Sequence, residues 1–372
     1  MERKNCWKQY SDKRLNKMEE YTKEYMHFLN HSKTERECAD TVVNLVEKEG
    51  FTDLAALVRD KKKLKAGDKV YATWMNKAVI LCRIGEKPME EGMNIVASHI
   101  DSPRLDIKPN PLYENTGVAY LDTHYYGGIK KYQWVTLPLA IHGVVVKKDG
   151  ITEEICIGED KDDPVVFISD LLPHLSQEQQ EKKASELFGG EALDIVFGNR
   201  PMVKKGDEKE EKEAVKAQIL RLLEEMYDMK EEDFLSAELE VVPAGKAREA
   251  GLDRSMIMAY GQDDKVCAYA AIHALLHAKK LARTSVVMLT DKEEIGSVGA
   301  TGMASHYLEN TVAELYACTA DYCELAVRRC LRNSRMLSSD SEIQSSSSLV
   351  EVFFSLSARR HGVAYHRRET RP

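Results

Sequence analysis

The stretch Ser285–Gly302, SVVMLTDKEEIGSVGATG, begins as a short β-branched apolar run and ends in charge. Val286 to Leu289 read as a buried strand. Asp291, Lys292, Glu293 and Glu294 follow at once, and then come glycines and small residues. Two adjacent carboxylates at the exit of a core strand form either a charged turn or a site at the carboxyl end of a strand, where open α/β sheets place their ligands.

Just upstream, MIMAYGQDDKVCAYAAIHALLHAKKL (Met256–Leu281) reads as a strand, a polar turn and a long helix with Ala270, Ala271, Ala274 and Leu275 facing inward. With SVVMLT it makes a βαβ unit, which predicts α/β architecture with a mixed, mostly parallel sheet flanked by helices. Residues 11–48 are expected to be helical, with Tyr21, Tyr25, Phe28 and Leu29, then Thr41, Val42, Leu45 and Val46, at helical spacing. Tyr71–Gly85 reads as a hairpin turning at Asn76-Lys77, and Met93–Asp101 as a strand ending in His99 and Asp101. PRLDIKPNPLYENTG, rich in Pro and Asn, marks a boundary. From about residue 115 to 170 short β-type runs dominate, which predicts an inserted β-rich domain. Lys204–Phe234 starts as a solvated charge run and becomes an amphipathic helix with Val215, Ile219, Leu222, Leu223 and Met226 on one face.

With 372 residues the chain is long enough for two or three domains. Its net charge of −8 and pI near 5.9 argue against nucleic-acid binding, since no broad basic face is available for phosphates. The first 20 residues lack an apolar core of signal-peptide length, and no run of about 18 apolar residues is present to span a membrane. Eight cysteines include no C-x-x-C pair, and most sit in apolar runs, which predicts buried, reduced thiols in a cytoplasmic protein.

Three polar groups stand at strand ends after apolar runs: Ser98–Asp101, Gly261–Lys265 and Asp291–Glu294. Singly they read as a core histidine, a helix N-cap and a charged turn. Together they offer one imidazole and several carboxylates at one sheet edge, a donor set that zinc accepts. Such carboxylates would repel one another without a cation.

The motifs ASHIDSPRLDIKPNP (97–111), YYGG (125–128), LLPHL (171–175), GQDDKVCAYAA (261–271), DKEEIGSVGATG (291–302) and NSRMLSSD (333–340) make the chain resemble the aspartyl aminopeptidase, or aminopeptidase I, family of co-catalytic zinc metallopeptidases. The resemblance covers residues 1 to about 340. It implies a zinc-exopeptidase-like catalytic domain from residues 1–101 and 256–340, with a β-rich dimerisation domain, 102–255, inserted. It further implies release of N-terminal residues from peptides and dimers that build a tetrahedral dodecamer. Two divalent metal ions per subunit, zinc by preference, are expected.

By the same resemblance His99, Asp263, Glu294 and Asp340 are metal ligands, with Asp263 bridging both ions. Asp101 orients the His99 ring. Glu293 is the general base on a metal-bound water, and His174 contacts substrate from the inserted domain. Asp321, in ACTADYC, is the rival to Asp340, which is preferred because RMLSSD carries the family pattern. The pattern stops at Asp340. Residues 341–372 are rich in Ser and Arg, with neither Lys nor Asp, and are expected to be an aberrant, disordered tail that leaves the second metal site incomplete. His361 and His366 in it lack family context. Two alternatives stay open: a catalytically impaired assembly subunit, and a related zinc amidohydrolase acting on small acylated amines.

Overall fold

The computed structural model describes residues 6–202 and 212–340. The tail from Ser341, with His361 and His366, lies outside the described residues, as does most of the Lys204–Glu213 charge run, so the expectations placed on them are left there.

Helices α1 (Asp12–Asn30) and α2 (Glu35–Lys48) lead into β1 (Thr52–Asp53), α3 (Leu54–Arg59), β2 (Lys69–Trp74), β3 (Ala78–Arg83) and β4 (Asn94–His99). Then come β5 (Arg104–Asn115), β6 (Val118–Tyr126), β7 (Leu139–Val146), β8 (Thr152–Ile157), α4 (Gln177–Gln180), β9 (Ile195–Gly198), α5 (Ala214–Tyr227) and β10 (Ala237–Pro243). The described chain continues through β11 (Arg248–Ala250), β12 (Met256–Met258), α6 (Gln262–His277), β13 (Ser285–Thr290), α7 (Tyr307–Thr319), α8 (Glu324–Asn333) and β14 (Arg335–Ser338).

The first sheet has the order β1-β2-β3-β13-β4-β14 and the second β8-β7-β10-β5-β6-β9. In the first, β1–β2, β13–β4 and β4–β14 are parallel, while β2–β3 and β3–β13 are antiparallel. The fold is therefore a mixed α/β sheet flanked by helices, as expected. Its core explains the apolar run in β13. Val286 and Met288 face a cluster with α3, α7 and α8, whereas Val287 and Leu289 face one with α1, α2 and α6. A strand covered on both faces has no polar side to alternate with, and each such side chain contributes about 1.5–3 kcal/mol of burial. The second sheet is antiparallel throughout and has its own apolar cluster, which includes Leu105, Leu121, Ile141 and Val241.

Several local expectations change. β12 pairs only with β11, in a separate two-stranded sheet. α6 therefore does not join two strands of one sheet, and the parallel partner of β13 is β4. β12 is three residues long, and Met258 is exposed. The Pro-rich boundary at 103–117 is largely strand. Its register on β6 shifts between Ile107 and Leu112, and β10 covers only Leu105 and Asp106 on the other side. Pro109 and Pro111 thus sit where a missing N–H breaks no ladder.

The hairpin loop is Met75–Lys77, with Met75 and Asn76 at φ of 52° and 53°. On α6 the buried stripe is Lys265, Ala268, Ala271, Ile272 and Leu275, while Ala274 faces out. On α5, Val215, Ile219 and Leu223 are buried, but Leu222 and Met226 are exposed.

Candidate metal centre

The parallel set β13-β4-β14 brings three carboxyl ends to one edge. Thr290 is level with His99, so the DKEE turn leaves beside the imidazole. Ser338 is level with Ala97, and Ser339 donates from its N–H and its hydroxyl to the Ala97 carbonyl at 2.8 and 2.9 Å. That latch delivers Asp340 to the level of His99. α6 supplies Asp263 from its first turn, where the Asp263–Asp264 peptide bond is cis.

Around the imidazole the distances are short. His99 Nε2 lies 3.3 Å from Asp263 Oδ1, 3.8 Å from Asp340 Oδ1 and 3.9 Å from Glu293 Oε2. One ligand atom each from His99, Asp263 and Asp340 falls within 4.8 Å of the others. The ring is 3% exposed, while the three carboxylates are about half open to solvent. His99, Glu293 and Asp340 line a cleft of about 120 Å³. A larger hollow, about 540 Å³, lies between Gly50, Leu57 and Lys69, but Lys63 and Lys69 there are taken up by backbone carbonyls.

Asp101 holds this arrangement from beneath. It is wholly buried; His99 Nδ1 lies 3.0 Å from its backbone carbonyl and 3.2 Å from its carboxylate, which also accepts from the Tyr126 hydroxyl at 2.7 Å and from the backbone N–H groups of Glu293 and Glu294 at 3.2 Å each. With Nδ1 so engaged, Nε2 is the nitrogen turned to the cleft. Burial alone would raise the Asp101 carboxyl, but the bonds from His99 and Tyr126 outweigh it and hold the group below its usual range.

The electrostatics are those of an acid cluster short of cations. Burial, and then the charge of Asp263, push Glu294 up to about 7. Burial would depress His99, yet its hydrogen bonds to Asp101 and Asp263 push it up to about 11. Burial raises Asp264 to about 6, although the Ser98 hydroxyl donates to it at 2.6 Å. One imidazole nitrogen among converging carboxylate oxygens is the hard-to-borderline donor set that zinc takes, and a divalent ion there would relieve the repulsion. The residues fit the group.

His99, Asp101, Asp263, Glu293, Glu294 and Asp340 are thus brought together. His174 lies apart, exposed on the turn Pro173–Leu175, and makes none of the contacts that tie the cluster. Asp321 follows helix α7 and is exposed, so its apolar run is not a strand leading to the shared edge. Asp291 is fully buried and bonded to the Thr301 hydroxyl at 2.7 Å, which makes it a brace for the turn. A second acidic group, Glu35, Glu238 and Glu240, also converges, but Lys77 and Arg104 already lie among its oxygens. Sequence reasoning missed Tyr126 and Ser98 as supports. The YYGG and ASHID motifs contain them, but neither lies where a ligand pattern would be sought.

Residues 28–346 match the model of the aminopeptidase I zinc metalloprotease (M18) family. The chain belongs to that family. It is 53% identical over 339 residues to a probable M18 family aminopeptidase 1 of Clostridium acetobutylicum, a match covering 91% of this chain and 72% of the relative. Two solved structures agree in fold. An M18 family aminopeptidase from Thermotoga maritima superposes with a TM-score of 0.83 at 44% identity, covering 91% of this chain and 72% of that one. Aminopeptidase I from Clostridium acetobutylicum gives 0.81 at 47% identity, covering 91% and 73%. The chain is accordingly an M18 zinc aminopeptidase, a hydrolase of peptide bonds, and its fold is that of its relatives. Among the described residues no helix is long and apolar enough to cross a membrane.

Proposed function

We propose that this aminopeptidase removes single N-terminal residues from peptides at the β4-β13-β14 edge, using two zinc ions per subunit. His99, Asp263 and Asp340 would hold one ion, with Asp263 and Glu294 serving the other. The observation that carries this reading is the convergence of His99 Nε2, Asp263 Oδ1 and Asp340 Oδ1 within 4.8 Å.

When bound, a divalent ion polarises a scissile carbonyl and makes water more acidic. Glu293 takes the proton of the attacking water and hands it to the leaving amine. Its carboxylate is half open to the cleft, and its backbone N–H is fixed by Asp101. General acid–base work of this kind is worth about 10²–10⁴-fold. Asp101 keeps the His99 ring in one tautomer and one orientation.

The division into a catalytic unit, residues 1–101 and 256–340, and an inserted unit, 102–255, is supported by the two sheets and their separate apolar clusters. Exposed Leu171, Leu172 and Leu175 support self-association through the inserted unit, with His174 between them reaching the substrate of a neighbouring copy. A cytoplasmic setting is supported by buried free thiols at Cys38, Cys82, Cys318 and Cys330, although Cys156 and Cys323 are exposed, against expectation.

The test is a panel of aminoacyl-nitroanilides beside acylated amino acids, before and after chelation and zinc restoration. Hydrolysis of free-amine substrates only, lost on chelation and regained with zinc, is the expected result. Preference for the acylated compounds would make the protein an amidohydrolase, and activity untouched by chelation would remove the metal from the reading.

A further inference from the structure

The metal centre sits on the first sheet, yet one of its supports comes from the second. Tyr126 ends β6, is 6% exposed, and donates its hydroxyl to Asp101 Oδ2 at 2.7 Å. The same oxygen accepts the Glu294 N–H, and its partner oxygen takes His99 Nδ1 and the Glu293 N–H. One carboxylate thus joins the imidazole, the turn of two glutamates and a tyrosine from the other sheet.

The ring of Tyr126 is itself held. The Arg104 guanidinium lies 3.9 Å from the ring centroid and the Lys292 ammonium 5.1 Å. Arg104 is buried and anchored by Asp106, Glu35 and Glu240 at 2.8, 3.1 and 3.1 Å. The next residue, Gly127, has φ of 72°, and a Cβ there would lie 3.0 Å from Glu294 Cβ and 3.3 Å from its Oε2. The end of β6 therefore touches the centre at two successive residues.

We propose that Tyr126 is a positioning residue of the metal centre. Its hydroxyl fixes the rotation of the Asp101 carboxylate and through it the His99 ring and the Glu293–Glu294 turn. This rests on the metal-dependent reading above. Without the hydroxyl, Asp101 Oδ2 keeps only the Glu294 N–H, and the carboxylate loses the shortest of the bonds that set its rotation. Partners of this outer kind typically change metal affinity or activity about 10–100-fold.

The experiment uses the full chain and Tyr126→Phe, which removes one oxygen and keeps the ring beside both cations. Metal-free protein is titrated with Zn²⁺ and with Co²⁺, and the visible Co²⁺ spectrum is recorded. Tyr126→Phe should keep the melting temperature and particle size of the parent, bind metal about 10–100-fold more weakly, and shift the Co²⁺ band. With substrate, kcat should fall while KM stays. Combined with Asp101→Asn, its effect on affinity should be far less than additive, since both act through one carboxylate. Equal affinity and an unshifted spectrum in Tyr126→Phe overturn the proposal alone, as does full additivity with Asp101→Asn. A parent protein that takes up no metal overturns the functional reading and this proposal with it.

Discussion

Glu37 Oε1 lies 2.6 Å from His142 Nδ1, which ties the first turn of α2 to β7 of the second sheet. The same glutamate completes the α2 capping box, since its Oε2 accepts the Thr34 N–H at 3.1 Å. On the far side of the ring, Glu159 Oε1 lies 3.2 Å from Nε2 and 3.0 Å from Lys33 Nζ. Burial alone would depress His142, but the two carboxylates raise it to about 9 and are themselves lowered.

The sign of the pH effect follows. A histidine raised in the folded state contributes fully below its unfolded pKa of about 6.5 and loses that contribution as pH rises through 9. The lowered glutamates contribute above about 4.5 and lose it in acid. Stability from this cluster should therefore peak between about pH 4.5 and 6.5 and fall by on the order of 3 kcal/mol by pH 9. Urea unfolding of the parent and His142→Gln at pH 6 and 9 checks this: the variant should show much the smaller decline.

Glu293→Gln should keep zinc content and particle size and lose at least about 100-fold in turnover. The substitution keeps the backbone N–H that Asp101 holds and removes only the proton acceptor. Activity within threefold of the parent would assign the proton to another group.

Asp263→Ala and Glu294→Ala should differ in zinc per subunit. Asp263 is proposed to serve both ions and Glu294 one, so elemental analysis should find less metal in Asp263→Ala. Equal content in the two would remove the bridging role. Asp340→Ala should lower metal content as well, whereas Asp321→Ala should not, since its residue is exposed beyond a helix end.

Leu172 and Leu175 are 58% and 64% exposed. Replacing both with Asp should lower the sedimenting mass while leaving the subunit folded, because neither side chain is in the core of the second sheet. An unchanged mass would place self-association elsewhere.

The strand ends that build the centre were legible because each follows an apolar run. His99, Glu293 and Glu294 stood out once the polar groups at strand ends were taken together. Asp340 could not, since β14 is four exposed residues, and only the RMLSSD pattern marks it. The β texture of residues 115–170 was visible, whereas β5 was not, because prolines that break a central strand are harmless where no neighbour needs their N–H. On α6 Ala271 and Leu275 are buried as expected, but Ala274 is not: alanine fits either side of a helix, and the large side chains of Tyr269, Ile272 and Leu275 decide which side is buried. Tyr126 stayed hidden because its partner Asp101 lies in the turn between β4 and β5, and no spacing rule connects them.

The pairing of Arg335 with Asn94 also orders events in time. β4 is made early and β14 late, so His99 waits through the second sheet, α6, β13 and two further helices before Asp340 reaches it. Contacts so distant in sequence form slowly, and a ribosome adds only about 5–20 residues each second. A nascent chain that ends before β14 still lacks the strand that carries Asp340 to the level of His99. On the proposed ligand set, a chain that stops short of Asp340 lacks one metal ligand, and hydrolysis would begin only once synthesis has passed that residue.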